Sequence, residues 1–276
     1  MPTLSCEISQ SLLDALATRS RQTGETIDRI VISVLGDALQ IKHATLFQIS
    51  TAGALVEGVT QGAITVGELA RHGDFGLGTF ADFNGEMVVV DGTTYQVTRD
   101  GVKVAGNDAV VPFAVVTRFM PENGIDLETV VSFDDLTGRL DALRSTGNQF
   151  FAVRIDGRFD RVKTRAVCKV EGSASLVDAA SSQVEFEFRD VAGILVGFWT
   201  PEYAKSVNIA GWHLHFLTAD RRGGGHLLDC RATGLHAQVQ HLSDFHMAIP
   251  ETAAFLKADL TRDRSDELTK AEKDHG

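Results

Sequence analysis

Hydrophobic and polar positions change rhythm several times along this chain. Residues 3–8 alternate as a half-exposed strand does, with Thr3, Ser5 and Glu7 on one face. The helical period then takes over. Ser9 or Ser11 is placed to cap a helix through Arg21, with Leu12, Leu13, Leu16 and Ala17 on one side and Gly24 positioned to stop it. Glu25 or Thr26 opens a second helix whose apolar side is Ile27, Ile30, Val31, Val34, Leu35 and Ala38. From Leu46 onward, short apolar runs broken by glycine predict strands over 46–49, 63–65, 79–83, 86–90, 93–97 and 113–119. Asn84-Gly85 and Asp91-Gly92 are hairpin signals. Residues 68–70 suggest a short helix. Residues 133–143 read as a longer one, with Leu136, Leu140 and Leu143 on one side. A second strand-rich stretch starts over 150–155 and continues through 158–170, 184–188, 191–198, 213–218, 226–233 and 235–242. Past Leu260 the chain is charged, which predicts an exposed or loosely docked helix.

These rhythms divide the chain into an N-terminal strand-helix-helix extension (1–45), two strand-rich halves (46–149 and 150–260) and a C-terminal tail (261–276). The extension resembles a ribbon-helix-helix module. Such modules dimerise through the strand, and many bind DNA with it. A DNA-reading strand usually offers arginine, lysine or asparagine, so Glu7 argues against DNA and leaves self-association or simple packing.

Composition narrows the function. Of 276 residues, 43% are hydrophobic, enough for one large core or two modest ones. A net charge of −11 and a pI near 5.2 set the chain as a whole against non-specific nucleic-acid binding. Cys6, Cys168 and Cys230 show no paired spacing and read as free thiols of a reducing compartment. The N-terminus lacks the basic start of a secretory signal, and the longest apolar run, 30–35 apart from Ser33, is too short to span a bilayer. A cytoplasmic protein without membrane attachment is the expectation.

The densest chemistry lies in residues 211–226, Gly-Trp-His-Leu-His-Phe-Leu-Thr-Ala-Asp-Arg-Arg-Gly-Gly-Gly-His. Side chains alternate along a strand, so His213 and His215 share a face. A tight turn at Gly223, Gly224 and Gly225 can return His226 beside them. Three imidazoles at one point make a divalent-metal site with an open position, the layout of a catalytic rather than a structural ion. A bare His-x-His would more simply be two outward polar residues of a strand; the third histidine tips the balance toward metal.

Further motifs stand in order along the chain: Leu46-Phe-Gln-Ile-Ser-Thr51, Gly73-Asp-Phe-Gly-Leu-Gly-Thr79, Asn84-Gly-Glu-Met87, Pro112-Phe-Ala114, then the histidine motif. From Leu46 to its end the chain therefore resembles bacterial alpha-acetolactate decarboxylases. The resemblance implies an α+β fold of mixed and antiparallel β-sheets with a few helices. It implies a dimeric zinc enzyme that converts 2-acetolactate to acetoin and carbon dioxide on the butanediol branch. It matches the zinc ligands to His213, His215 and His226, an active-site glutamate to Glu86, an arginine to Arg165 and a tail glutamate to Glu272. The N-terminal extension lies outside the resemblance. Without it, Glu86 would be an ordinary strand residue after an Asn-Gly turn, and Glu272 one charge in a solvated tail.

Two other readings use the same residues. A cupin-type metalloenzyme also carries His-x-His on a strand, with a carboxylate near the place of Asp220, but its spacing fits His226 poorly. A regulator would pair a DNA-binding extension with a metal- or ligand-sensing domain, which Glu7 disfavours. His236, His241 and His246 recur at an interval matching neither strand nor helix and read as surface residues, Cys230 as a small buried side chain, and Asp220-Arg221-Arg222 as a solvated hairpin tip.

Overall fold

A computed structural model describes residues 5–38, 44–121, 123–167, 183–262, 264 and 267–268. The chain divides into two compact units, Met1–His43 and Ala44–Gly276.

The first unit holds helices α1 (Gln10–Thr23) and α2 (Ile27–Ala38). Ser9 caps α1 by accepting from the Leu12 amide, and Gly24, at φ 76°, closes it by donating to the Ser20 carbonyl. The Ser20 hydroxyl donates to the Glu25 carbonyl across the turn at 2.6 Å. The strand expected over 3–8 is not formed at residues 5–8, which are irregular. A strand needs a ladder partner for its backbone groups, and these residues have none within the described chain.

The second unit is built on two sheets. Strands β1 (Thr45–Ile49), β3 (Phe75–Thr79), β4 (Glu86–Val90), β5 (Thr93–Thr98), β6 (Gly101–Val104), β8 (Phe113–Thr117) and β14 (Asp244–Ala248) form the first, in the order β14-β1-β8-β3-β4-β5-β6. Strands β9 (Asn123–Val130), β10 (Phe150–Ala166), β11 (Val184–Thr200), β12 (Gly211–Thr218) and β13 (Gly224–Leu242) form the second, in the order β10-β11-β12-β13-β9. In addition β10 pairs with β13, so four of these strands close on themselves. A two-stranded sheet, β2 (Ile64–Thr65) with β7 (Val110–Val111), and helices α3 (Ala52–Val56), α4 (Val66–Leu69), α5 (Phe133–Asp141) and α6 (Ala253–Lys257) complete the unit. Among the described residues only β1 and β14 pair in parallel, so the sheets are mixed and antiparallel as expected.

Several boundaries move. The strand expected over 79–83 ends at Thr79, because Asp82 and Phe83 adopt positive φ (58° and 53°) in a 3-10 turn that no strand can include. The preceding Phe-Gly-Leu-Gly-Thr, outside the expected strand, is β3. A Cβ at Gly78 would lie 2.4 Å from the Phe113 carbonyl oxygen, so close strand contact requires the glycine. The expected pairs of short strands fuse into β10, β11 and β13: β10 and β13 shift register between Asp156 and Phe159, and Gly234 bends β13 at φ 78°. Residues 168–170, part of one expected strand, lie outside the described residues. The two halves also exchange strands, β9 joining the second sheet and β14 the first.

The sheets bury Leu77, Val88 and Phe113 of the first against Val196, Phe198 and Leu217 of the second. The second sheet encloses Phe159, Leu195, Leu214 and Phe216, closed by Leu136 and Leu140 of α5. Each such side chain contributes about 1.5–3 kcal/mol by leaving water. Between these apolar masses, β4 of one sheet comes up to β12 and β13 of the other.

Candidate metal centre and active site

Strand alternation sends His213 and His215 to the same face of β12, and both are buried. In the β12–β13 ladder His215 stands directly opposite His226, and in the β10–β13 ladder Arg165 stands opposite His226 on its other side. Three adjacent strands thus deliver His215, His226 and Arg165 in one row. Of the glycines expected in the turn, Gly224 and Gly225 lie within β13, and Gly225, at φ 132°, has the Arg165 carbonyl oxygen 2.4 Å from where a Cβ would sit. Their lack of a side chain lets β10, β12 and β13 approach beside the histidines.

The three imidazoles converge. His213 Nε2 is 3.1 Å from His215 Nε2 and 3.2 Å from His226 Nδ1, and the three candidate ligand atoms lie within 4.8 Å of one another. Two nitrogens at 2.0–2.1 Å from a tetrahedral ion would be about 3.3 Å apart, so the spacing fits a zinc-like cation. The ring of His215 is oriented from behind: its Nδ1 is 2.8 Å from the Met87 carbonyl. A carbonyl only accepts, so Nδ1 carries the proton and Nε2 turns its lone pair toward the other rings. Burial, reinforced by the charge of Arg165, lowers the His213 pKa to about 3 and keeps that ring neutral, as a ligand must be.

Glu86 opens β4 and flanks the histidines. One carboxylate oxygen accepts from the Val167 amide at 3.2 Å; the other is 3.7 Å from His215 Nε2. Its strand neighbour Met87 supplies the carbonyl under His215, so two successive residues serve the site. Arg165 is buried and donates to the Gln183 side chain at 3.0 Å. The Thr79 hydroxyl donates to the Gly85 carbonyl at 3.0 Å, fastening the turn that leads into Glu86.

Thr79, Glu86, Arg165, His213 and His215 form the polar floor of a pocket of about 500 Å³, counting its open mouth. Leu55, Phe83, Phe113, Ile209 and Leu268 form apolar walls. Such a pocket admits a small polar molecule with short alkyl groups and holds its charge beside an arginine. Thr79 and Phe113 fall within the sequence motifs, but Leu55, Ile209 and Leu268 gave no signal, since a buried leucine reads as core wherever it stands. Leu268 brings the tail to the pocket, while Arg264 pairs with Glu57 and Glu267. Glu272 and Cys168 lie outside the described residues.

The remaining candidates stay apart from this chemistry. Asp220 caps the tip of the β12–β13 hairpin, accepting from the Thr218 hydroxyl and the Arg222 amide, and so does not fill a cupin-like carboxylate position. His236 pairs with Asp126 in the open, His246 is exposed and His241 half-buried. Cys230 is buried, and burial pushes its thiol up to about 12.

The chain is similar to known proteins over most of its length. The family model described as alpha-acetolactate decarboxylase matches residues 46–262. An alpha-acetolactate decarboxylase of Methanosarcina mazei is 40% identical over 251 residues, covering 90% of this chain and 86% of its own. One of Methylococcus capsulatus is 40% identical over 229 residues, 82% of this chain and 88% of its own. Among solved structures, the alpha-acetolactate decarboxylase of Bacillus subtilis superposes with a TM-score of 0.80 at 30% identity, covering 83% of this chain and 99% of that one. Among the described residues no helix is long and apolar enough to cross a membrane.

Proposed function

The chain belongs to the alpha-acetolactate decarboxylase family, whose named members are carboxy-lyases, and from that premise we propose how its site removes carbon dioxide from 2-acetolactate to leave acetoin. The observation that carries the reading is the convergence of three buried imidazoles beside a buried glutamate and a buried arginine. His213, His215 and His226 hold the metal, which we take to be zinc from their all-nitrogen donor set and spacing. That ion would supply a Lewis acid to the site.

The substrate is a 2-hydroxy-3-keto acid. Breaking the bond to its carboxylate releases carbon dioxide and leaves the electron pair on carbon, from which the neighbouring ketone draws it as an enediolate. Arg165, a permanent cation, orients the substrate carboxylate and stabilises the developing negative oxygen. Glu86 delivers the proton that completes acetoin at carbon, from a carboxyl group held by the Val167 amide. Glu272 assists from the tail. The apolar walls at Leu55, Phe83, Ile209 and Leu268 receive the two methyl groups and exclude bulk water. The enzyme works as a homodimer in the cytoplasm, feeding acetoin toward butanediol, with no membrane or nucleic-acid partner.

The test is acetoin formation from racemic acetolactate by purified protein, a chelator-stripped sample and a His215→Ala variant. Activity lost in both controls, and restored to the stripped wild type by zinc, is the expected result. Folded, zinc-loaded protein that yields no acetoin would overturn the reading.

A further inference from the structure

The Leu46-Phe-Gln-Ile-Ser-Thr51 motif supplies no metal ligand, yet it places a glutamine in the interior. Gln48 is buried on β1, on the face it shares with Leu46, which packs into the core between the two sheets. Burying an amide is unfavourable unless its polar groups are hydrogen-bonded, and here both ends are. Nε2 donates to the Ser50 carbonyl and to the Val207 carbonyl, each at 2.8 Å, while Oε1 accepts from Asn208 Nδ2 at 2.9 Å. Carbonyls only accept, so the two of them fix which end of the amide is nitrogen. Asn208 is buried too, and its Oδ1 accepts from the Ile209 amide at 2.7 Å.

Each of these bonds lies at the root of a pocket wall. Ser50 stands at φ 64°, a left-handed conformation unfavourable for a residue with a Cβ, where the chain turns from β1 into α3. The Gln48 bond to the Ser50 carbonyl spans that bend. Thr51 caps α3, and the Val207 carbonyl that Gln48 reaches also accepts from the Ala52 amide at 3.0 Å. Ala52 and Leu55 of α3 line the pocket, as does Ile209, the neighbour of Asn208. Just past α3, Glu57 pairs with Arg264, one helical turn before the pocket residue Leu268. One amide thus ties together the bend before α3, the start of α3 and the loop that bears Ile209. On the basis of the decarboxylase reading above, we propose that Gln48, together with Asn208, is a positioning residue that sets the apolar wall and so the size of the alkyl group accepted beside the reacting carbon. Its hydrogen bonds among the described residues run to none of the three histidines and to neither Glu86 nor Arg165, so the wall can shift while the reacting groups stay in place.

The experiment measures carbon dioxide release from racemic 2-acetolactate and from its homologue with ethyl in place of the 2-methyl group. Full-length, zinc-loaded wild type is compared with Gln48→Met, which keeps the volume and loses the hydrogen bonds, and with Asn208→Ser, which shortens the side chain that donates to Gln48. Gln240→Met is the control. Gln240 is likewise a buried glutamine, bonded to the Met120 amide and the Arg118 carbonyl, and it does not line the pocket. All three variants should melt below wild type. Gln48→Met and Asn208→Ser should shift the ratio of kcat/KM for the two acids about tenfold toward the ethyl homologue, the scale on which an apolar pocket judges one methylene. They should also raise KM for 2-acetolactate with kcat within about twofold of wild type. Gln240→Met should keep the wild-type ratio and KM. A wild-type ratio in Gln48→Met, or in Asn208→Ser where Gln48→Met does not fold, would overturn the proposal and leave decarboxylation standing. So would an equal shift in Gln240→Met. Wild type that releases no carbon dioxide from either acid would overturn the decarboxylase reading and this inference with it.

Discussion

His215 works through both ring nitrogens, one held by the Met87 carbonyl and one turned toward His213. Its replacement by alanine should therefore remove the metal as well as the activity, measured as zinc content and acetoin formation. Glu86→Gln keeps the shape and the Val167 contact but cannot deliver a proton. It should lower kcat by about 10²- to 10⁴-fold while zinc content stays near one per chain, and an unchanged kcat would remove Glu86 from the proton-transfer role. Cys230 offers a test of burial at the same scale. Its thiol is raised to about 12, so the thiolate fraction stays negligible through pH 10, and mass-mapped alkylation of the native protein should label exposed Cys6 and spare Cys230. The histidines were legible in sequence because strand geometry ties their spacing to one face. Glu86 was legible only through its motif, and the walls at Leu55, Ile209 and Leu268 not at all, because what makes them functional is which pocket they face.

Among the elements, the hairpin of β12 and β13 carries the most chemistry per residue, and it depends on backbone bare of side chains. Gly225→Ala places a methyl group against the Arg165 carbonyl oxygen in a backbone conformation that alanine rarely adopts. It should destabilise the protein by roughly 1–3 kcal/mol and weaken zinc binding together, since His226 follows immediately; a variant with wild-type melting and metal affinity would deny the hairpin this role. Sequence rhythm located β4 and β5 well, because Asp91-Gly92 forms a tight turn with both residues at positive φ. It misplaced β3 and cut β10, β11 and β13 into pieces. Glycine in a strand marks a break or a close approach equally, and only the neighbouring strand decides which.

At the scale of the whole molecule, the residues proposed for catalysis within the described chain all come from the second unit. A chain beginning at Ala44 should therefore retain acetoin formation per active site, checked by steady-state kinetics against the full-length protein. If the proposed zinc is held there, the ion in hundredfold excess over its dissociation constant would add about 2.7 kcal/mol to folding stability. Chelation should accordingly lower the melting temperature by about 5–10 °C in calorimetry, and an unchanged melting temperature would separate the metal from the fold. The α+β class was legible from periodicity and motif order; the exchange of β9 and β14 between sheets was not, because a strand's own sequence does not name its partner.

Glu86 and the Met87 carbonyl come from one sheet, the three histidines and Arg165 from the other. On the proposed assignment, neither sheet alone possesses a catalyst. Enzymatic competence is thus a late event in the life of each newly made chain, arriving only when the two sheets have met. During refolding the far-ultraviolet circular dichroism of the strands should return before any acetoin is made, and the interval between the two signals is the time the sheets take to find each other.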